Sequence, residues 1–468
     1  MARLIPVLEY KPVDVSTGAG EPGLTITPAQ AEEVISLAEH FGCVRPIEWF
    51  SYQGRDKLRA GCWVGSLRVG DAQIEVSPKI ETGGAQDARV DLISMLIGAG
   101  ELDIELREVS QLAGSPRLID ALALWYSTRL ARECSRGLLR DYRERRDDIP
   151  LVRGRLDVGR QWMNQAMRRP LAACVFDEYV EDSELNRILK AGLAAALRSD
   201  VTSVEARRSM RSTLTLLEGV ADQPITYSRA SAYKPARREQ RFKALLSLAC
   251  LFISGSYTDV RSKGSADKQG MGLMWNMWEL FQEYAFRALV GENDADKKLK
   301  LPSNLQAQAQ FRGPHLISNG QKDLFMMMPD IVIMRDGIPV MICDTKWKLA
   351  EKSKKAPKAK KGKSMDKDEV TALSPGGKLG ISQSDLYQMF AYSRYFQARY
   401  GLKSPVPIAM IYPVPAGKET KECPKGPEGT DFLPQLKHLA VWKFRAEGAE
   451  SPVYVKQFPV PVSPKSEG

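Results

Sequence analysis

The chain has 468 residues, a net charge of +10, 43% hydrophobic and 26% charged residues. That balance suits a globular protein of several domains and excludes a disordered or membrane-embedded chain. No run approaches the roughly eighteen apolar residues of a membrane span, and the start MARLIPVLEYKP lacks a secretory pattern, so a cytoplasmic location is expected.

Seven cysteines occur without a CxxC pair, and the three histidines (His40, His315, His438) are dispersed. Neither a disulfide framework nor a zinc centre fits this pattern. Any metal must then be held by carboxylates, which favours Mg²⁺, with Mn²⁺ as the alternative.

In chain order, residues 1–87 read as a β-rich domain, with pieces such as GCWVGSLRVG and AQIEVSPKI between Gly and Asp turns. One helix interrupts it, beginning at Thr27-Pro28 and ending at Gly42. Residues 88–255 change to helical periodicity, as in LIDALALWYSTRLARECSRGLL and SELNRILKAGLAAALRS, with Arg-rich outer faces as in GLLRDYRERRDD. Residues 256–272 read as a Gly/Ser-rich linker.

Residues 273–468 alternate helix and strand, predicting an α/β domain with the order α-β-β-β-α-β-β. A polar insertion fills 350–380. Within it, residues 351–363 hold seven lysines (Lys352, Lys354, Lys355, Lys358, Lys360, Lys361, Lys363) and one glutamate, a local +6 that leaves about +4 for the rest. Such a segment either grips phosphates or is simply solvated.

The stretch MMMPDIVIMRDGIPVMICDTKWK carries the chemistry. It predicts a hairpin turning at Arg335-Asp336-Gly337, with an apolar, buried second strand ending in Asp344-Thr345-Lys346. Asp344 and Lys346 share a face. A three-residue loop with Gly337 left-handed, the expected form, puts Asp330 on their face, whereas a two-residue loop would put it on the opposite one. Two carboxylates within about 5–8 Å then suit one or two hard cations bridged by a phosphate.

Pro329-Asp330 followed by Asp344-Thr345-Lys346 resembles the PD-(D/E)xK nuclease motif. The downstream Gln388–Tyr392 pair resembles the QxxxY motif of its RecB-like branch. The DLYQMFAY helix with Asp385 and Tyr387, the RGR element and the Leu185-Asn186 pair narrow the resemblance to the McrC family over about 60–415.

That resemblance implies a restriction-endonuclease-like α-β-β-β-α-β fold, with Asp330, Asp344 and the Thr345 carbonyl as Mg²⁺ ligands and Lys346 as the catalytic amine. Gln388 and Tyr392 support the site; in the helix MWELFQEY the family's Phe-Glu pair is replaced by Phe281-Gln282, which leaves open whether Glu279, Glu283 or neither approaches the metal. It further implies a DNA endonuclease subunit of an antiviral restriction complex, whose partner is a McrB-like AAA+ GTPase docked on the 1–87 domain. The partner, not this chain, binds GTP, because no GxxxxGK[ST] loop occurs here. Two other classes remain open: a non-cleaving activator of an AAA+ motor, and a stand-alone RecB-like nuclease.

Overall fold

The computed structural model describes residues 3–16, 25–40, 48–52, 55–79, 85–104, 117–198, 203–258, 269–292, 298–311, 315–318, 323–348, 381–415, 427–446 and 449–460. The first stretch contains β1 (Arg3–Leu8), β2 (Pro12–Val15), β3 (Thr25–Ile26), α1 (Pro28–His40), β4 (Glu48–Tyr52), β5 (Arg55–Arg59), β6 (Trp63–Val69), β7 (Ala72–Ser77) and α2 (Ala85–Gly98). The second contains α3 (Leu118–Ser135), β8 (Asp141–Ile149), β9 (Arg155–Leu156), α4 (Val158–Ala166), β10 (Ala172–Val180), α5 (Glu184–Arg198), α6 (Val204–Thr215), α7 (Tyr227–Ala232), α8 (Lys243–Gly255), β11 (Ser256–Thr258) and β12 (Gln269–Asn276). The third contains α9 (Met277–Val290), β13 (Gln306–Ala309), β14 (His315–Ser318), β15 (Asp323–Met326), β16 (Ile331–Arg335), β17 (Ile338–Thr345), α10 (Gln383–Arg399), β18 (Ile408–Pro415), β19 (Lys437–Ala446) and β20 (Ala449–Val460).

Two compact units result, one of Met1–Ala2 with Ser115–Leu273 and one of Arg3–Gly114 with Met274–Gly468. The grouping differs from the segmentation by chain order, because the β-rich start packs into the same unit as the C-terminal third. Trp347 explains why. Its indole N–H donates to both carboxylate oxygens of Glu9 at 3.0 and 2.8 Å, and Lys79 Nζ donates to the Trp347 carbonyl at 2.7 Å. Glu9 is fully buried in that contact, and burial pushes its carboxyl pKa up.

In this larger unit, α1 starts at Pro28 as expected. A reciprocal cap closes it, with Thr27 Oγ1 accepting from Gln30 N and Gln30 Oε1 accepting from Thr27 N. The β6–β7 hairpin pairs antiparallel, and β1 adds to β7 in parallel.

The six-stranded sheet runs β13-β16-β17-β18-β20-β19, with β17, β18 and β20 mutually parallel. Its centre reads as continuous apolar sequence because both faces are covered: β18, IAMIYPVP, is buried at every position but its last. On one face, Met389, Tyr392 and Phe396 of α10 pack on Val332, Ile342, Ile408, Met410 and Tyr412. On the other, Phe281 of α9 packs against Trp347 and Phe458, with ring centroids 5.5 and 6.0 Å apart.

The smaller unit departs from the helical expectation. DYRERRDDI forms strand β8, paired over nine residues with β10. Its charges face water and are answered by cross-strand acids, Arg145 by Glu178 at 2.9 Å and Arg140 by Glu181 at 2.7 Å. Arginine is therefore compatible with this exposed two-sided ribbon, and helical periodicity was a false signal here.

The RGR element enters the same sheet. Gly154 has φ +67°, and a Cβ there would lie 2.5 Å from the Val175 carbonyl oxygen, so only glycine fits. Arg153 stacks on Phe176 at 4.5 Å. Asn186, fully buried, donates to the carbonyls of Leu139 and Glu181 and thereby closes the base of the ribbon. The Leu185-Asn186 pair is thus structural, with Leu185 in the core beside it.

Candidate functional site

The site forms at the C-terminal end of β17. The β16–β17 hairpin turns tightly on Asp336 and Gly337, both left-handed at φ +50° and +77°, with Arg335 opposite Ile338. This is a two-residue loop, not the expected three-residue one. The extra residue sits inside the hairpin instead: the register shifts between Ile333 and Met334, leaving Met334 opposite Pro339 and Ile333 opposite Met341. A bulge thus performs the parity change assigned to the loop. Ile331 lies opposite Cys343, the last pair of the ladder, so Asp330, directly before β16, arrives at the end of β17 where Asp344 stands.

Thr345 fixes Asp330. Its backbone N–H and its hydroxyl both donate to Asp330 Oδ2 at 2.7 Å. Thr345 thus acts here as a double donor to the carboxylate, in addition to the carbonyl role the motif implies for it.

Asp344 is buried, at 3% exposure. Its pKa is pushed up to about 7, chiefly by burial, with Lys346 working against the rise and Asp330 adding to it. Lys346 Nζ lies 2.8 Å from Asp344 Oδ2, an ion pair. Lys346 Nζ also lies 3.7 Å from Asp385. Its pKa is raised: burial works against its charge, and Asp344, Asp385 and Asp330 together outweigh burial.

Asp385 is held by the cap of α10. Ser382 Oγ accepts from Asp385 N at 3.1 Å, and Asp385 Oδ2 accepts from Ser382 N at 3.3 Å. One turn on, Gln388 Nε2 donates to the Tyr392 hydroxyl at 2.9 Å, and that hydroxyl accepts from Met328 N at 3.3 Å. The Gln–Tyr pair therefore pins the segment leading into Pro329-Asp330. Tyr387, by contrast, is exposed.

Glu279 and Glu283 lie on α9 and have partners of their own. Glu279 accepts from Asn276 Nδ2 at 3.2 Å, and Glu283 pairs with Arg287 at 2.7 Å. Both border Glu101, whose pKa is raised first by burial and then by Glu283. The lysines of 351–363 lie outside the described residues. Sequence reasoning missed the Glu9–Trp347–Lys79 contact, and the one available hint was the Trp directly after Lys346.

Among the described residues, no three His, Cys, Asp or Glu side chains gather as a metal-binding group. The available donors are Asp330 and Asp344, near enough for the charge of one to raise the pKa of the other. A pair suffices for Mg²⁺, which keeps several waters and takes one or two carboxylates plus substrate oxygens. A buried carboxylate with an elevated pKa beside a second carboxylate is also the environment that a divalent cation relieves.

A family model described as McrBC 5-methylcytosine restriction system component matches residues 58–413. The type IV methyl-directed restriction enzyme EcoKMcrBC of Escherichia coli (strain K12) is 22% identical over 237 residues, 49% of this chain and 64% of that relative, so the match spans less than two thirds of its length. A chain of the refined half-complex from the tetradecameric assembly of Thermococcus gammatolerans McrB AAA+ hexamers with bound McrC superposes with TM-score 0.65 at 18% identity, covering 98% of this chain and 94% of that one. A chain of the cryo-EM structure of the Thermococcus gammatolerans McrBC complex gives TM-score 0.49 at 21% identity, covering 61% and 87%. With three quarters of its length matched by the family model, the chain belongs to the McrBC 5-methylcytosine restriction system component family.

Proposed function

We propose that the chain is the Mg²⁺-dependent DNA endonuclease subunit of a McrBC-type restriction complex, a PD-(D/E)xK nuclease that cuts while a McrB-like AAA+ GTPase partner recognises DNA and hydrolyses GTP. The observation that carries this reading is Asp330 bonded to Thr345, the residue after Asp344, with Lys346 Nζ 2.8 Å from Asp344.

Asp330 and Asp344 would hold the metal. Bound there, it supplies Lewis-acid polarisation of the phosphate and a water of lowered pKa. Thr345 keeps Asp330 oriented, and the Gln388–Tyr392 pair steadies the strand that presents it. Lys346 places a fixed positive charge against the anionic phosphorane oxygens, and its pairing with Asp344 and Asp385 keeps it protonated. Cleavage then proceeds by direct attack of water on phosphorus.

Partner docking is better served by the smaller unit than by residues 1–87. Its ribbon and α4 expose Tyr142, Leu151, Val152, Val158 and Trp162, several at 70–80%. Large apolar side chains so exposed on one ribbon and its flanking helix suit a protein partner, here the AAA+ ring. The first strands instead hold the nuclease core through Glu9 and Lys79.

Cleavage of a 5-methylcytosine-containing plasmid, with GTP, Mg²⁺ and the AAA+ partner, tests the reading. Asp344→Ala should abolish cutting and leave stimulation of the partner's GTPase intact. Undiminished cutting by this variant contradicts the proposal. Loss of both activities in a folded protein contradicts the division of labour.

A further inference from the structure

One buried polar group at the site has no role so far. Tyr412 lies on β18, where Asp344 is opposite Met410, Thr345 is opposite Ile411, and Lys346 N donates to the Ile411 carbonyl at 2.8 Å. Tyr412 is therefore the neighbour of Lys346 on the adjacent strand and faces the same side as Asp344 and Met410. It packs in the cluster with Ile342, Met389 and Tyr392. The residue is 1% exposed, yet its hydroxyl has no hydrogen-bond partner among the described residues.

A phenol adds nothing to apolar packing that a phenyl ring lacks, and an unpaired buried hydroxyl costs stability. The surrounding charges identify what it awaits. A phenol keeps its proton at neutral pH, so the group serves as a donor, not a base. Neither nearby carboxylate accepts from the phenol: Asp385 Oδ2 is taken by the helix cap, and Asp344 is paired with Lys346. An acceptor must arrive from outside, and beside a lysine ammonium the fitting acceptor is an oxyanion.

We propose that the Tyr412 hydroxyl is a further catalytic donor, hydrogen-bonding a non-bridging oxygen of the scissile phosphate next to Lys346. The assignment rests on the nuclease reading above and supplies that site with a neutral donor paired to a cationic one.

The test compares the full-length wild type, Tyr412→Phe and Asp344→Ala, each with the AAA+ partner, on a 5-methylcytosine-containing plasmid. Three quantities are read: kcat and KM in Mg²⁺, affinity for the same DNA in Ca²⁺, and the thermal midpoint of the chain alone. The expected result for Tyr412→Phe is a kcat lower by roughly 10–100-fold, with KM and Ca²⁺-supported affinity within about threefold of wild type. Its thermal midpoint should be equal or higher, because an unpaired donor has been removed. Cutting at the wild-type rate overturns the assignment. A lower midpoint with unchanged cutting also overturns it, by giving the hydroxyl a purely structural partner. If the wild type cuts no faster than Asp344→Ala, the nuclease reading falls and the assignment falls with it. If only Tyr412→Phe matches the wild type, the nuclease reading stands without it.

Discussion

The end of β17 and the β8–β10 ribbon use the same residue types in opposite ways. On the ribbon, Arg140, Arg143, Arg145 and Arg146 all pair with acids, and each remains at least half exposed. Such pairs contribute little, because solvent screens them and two long side chains must be ordered to make them. At the β17 end a single partly buried lysine meets the buried Asp344, and the charge of Asp330 acts on the same carboxylate. There the charges are costly in themselves and are retained for what they do. Burial, not the number of ion pairs, separates a solvated surface from a site.

The largest test of that contrast is Lys346→Ala. Removing this partly buried cation should lower cleavage by about 10²–10⁴-fold while Mn²⁺ still binds, as read by single-turnover assays and calorimetry. Glu9→Ala should come next. It leaves Lys79 and the Trp347 indole N–H without their buried acceptor, and should destabilise the larger unit by about 2–4 kcal/mol in urea unfolding.

The elevated pKa of Asp344 makes a third, signed prediction for the metal-free protein. Above the ordinary carboxylate value of 3.8 the unfolded chain releases the proton, whereas the folded chain keeps it up to about 7. Stability should therefore be highest below that window and fall as pH rises through it, by about 2–4 kcal/mol in total. Asp344→Asn should flatten the slope, and saturating Mg²⁺ should reverse it. A slope unchanged by Asp344→Asn would place the titration elsewhere.

On the ribbon, Gly154→Ala acts through backbone strain and not charge. It should cost about 1–3 kcal/mol, measured on the smaller unit's transition. Arg145→Ala is the smallest effect, moving the thermal midpoint by no more than about 1–2 °C. A larger shift would mean the ribbon charges behave like those of the site.

The sequence made the site's chemistry readable and left its geometry half hidden. Asp344 and Lys346 are two apart on an apolar strand, so their shared face follows from strand period alone. The parity of Asp330 also depended on one extra residue, and the Asp-Gly turn drew attention to the loop when the irregularity lay at the Val340 level of the hairpin. A bulge flanked by ordinary residues has no turn-like composition to announce it. Trp347 and Tyr412 were opaque for another reason: apolar strands present many large residues, and only the fold reveals which one meets Glu9 or stands beside Lys346. The ribbon was misread because Arg-rich amphipathic spacing is common to exposed helices and exposed strands.

The measurement that bears most directly on the account is an anomalous-difference map from crystals of the full-length chain grown with saturating Mn²⁺. The account predicts a peak in contact with carboxylate oxygens of both Asp330 and Asp344, absent in Asp344→Ala. A map without a peak there, or one whose peak contacts Glu279 or Glu283 instead, would contradict it.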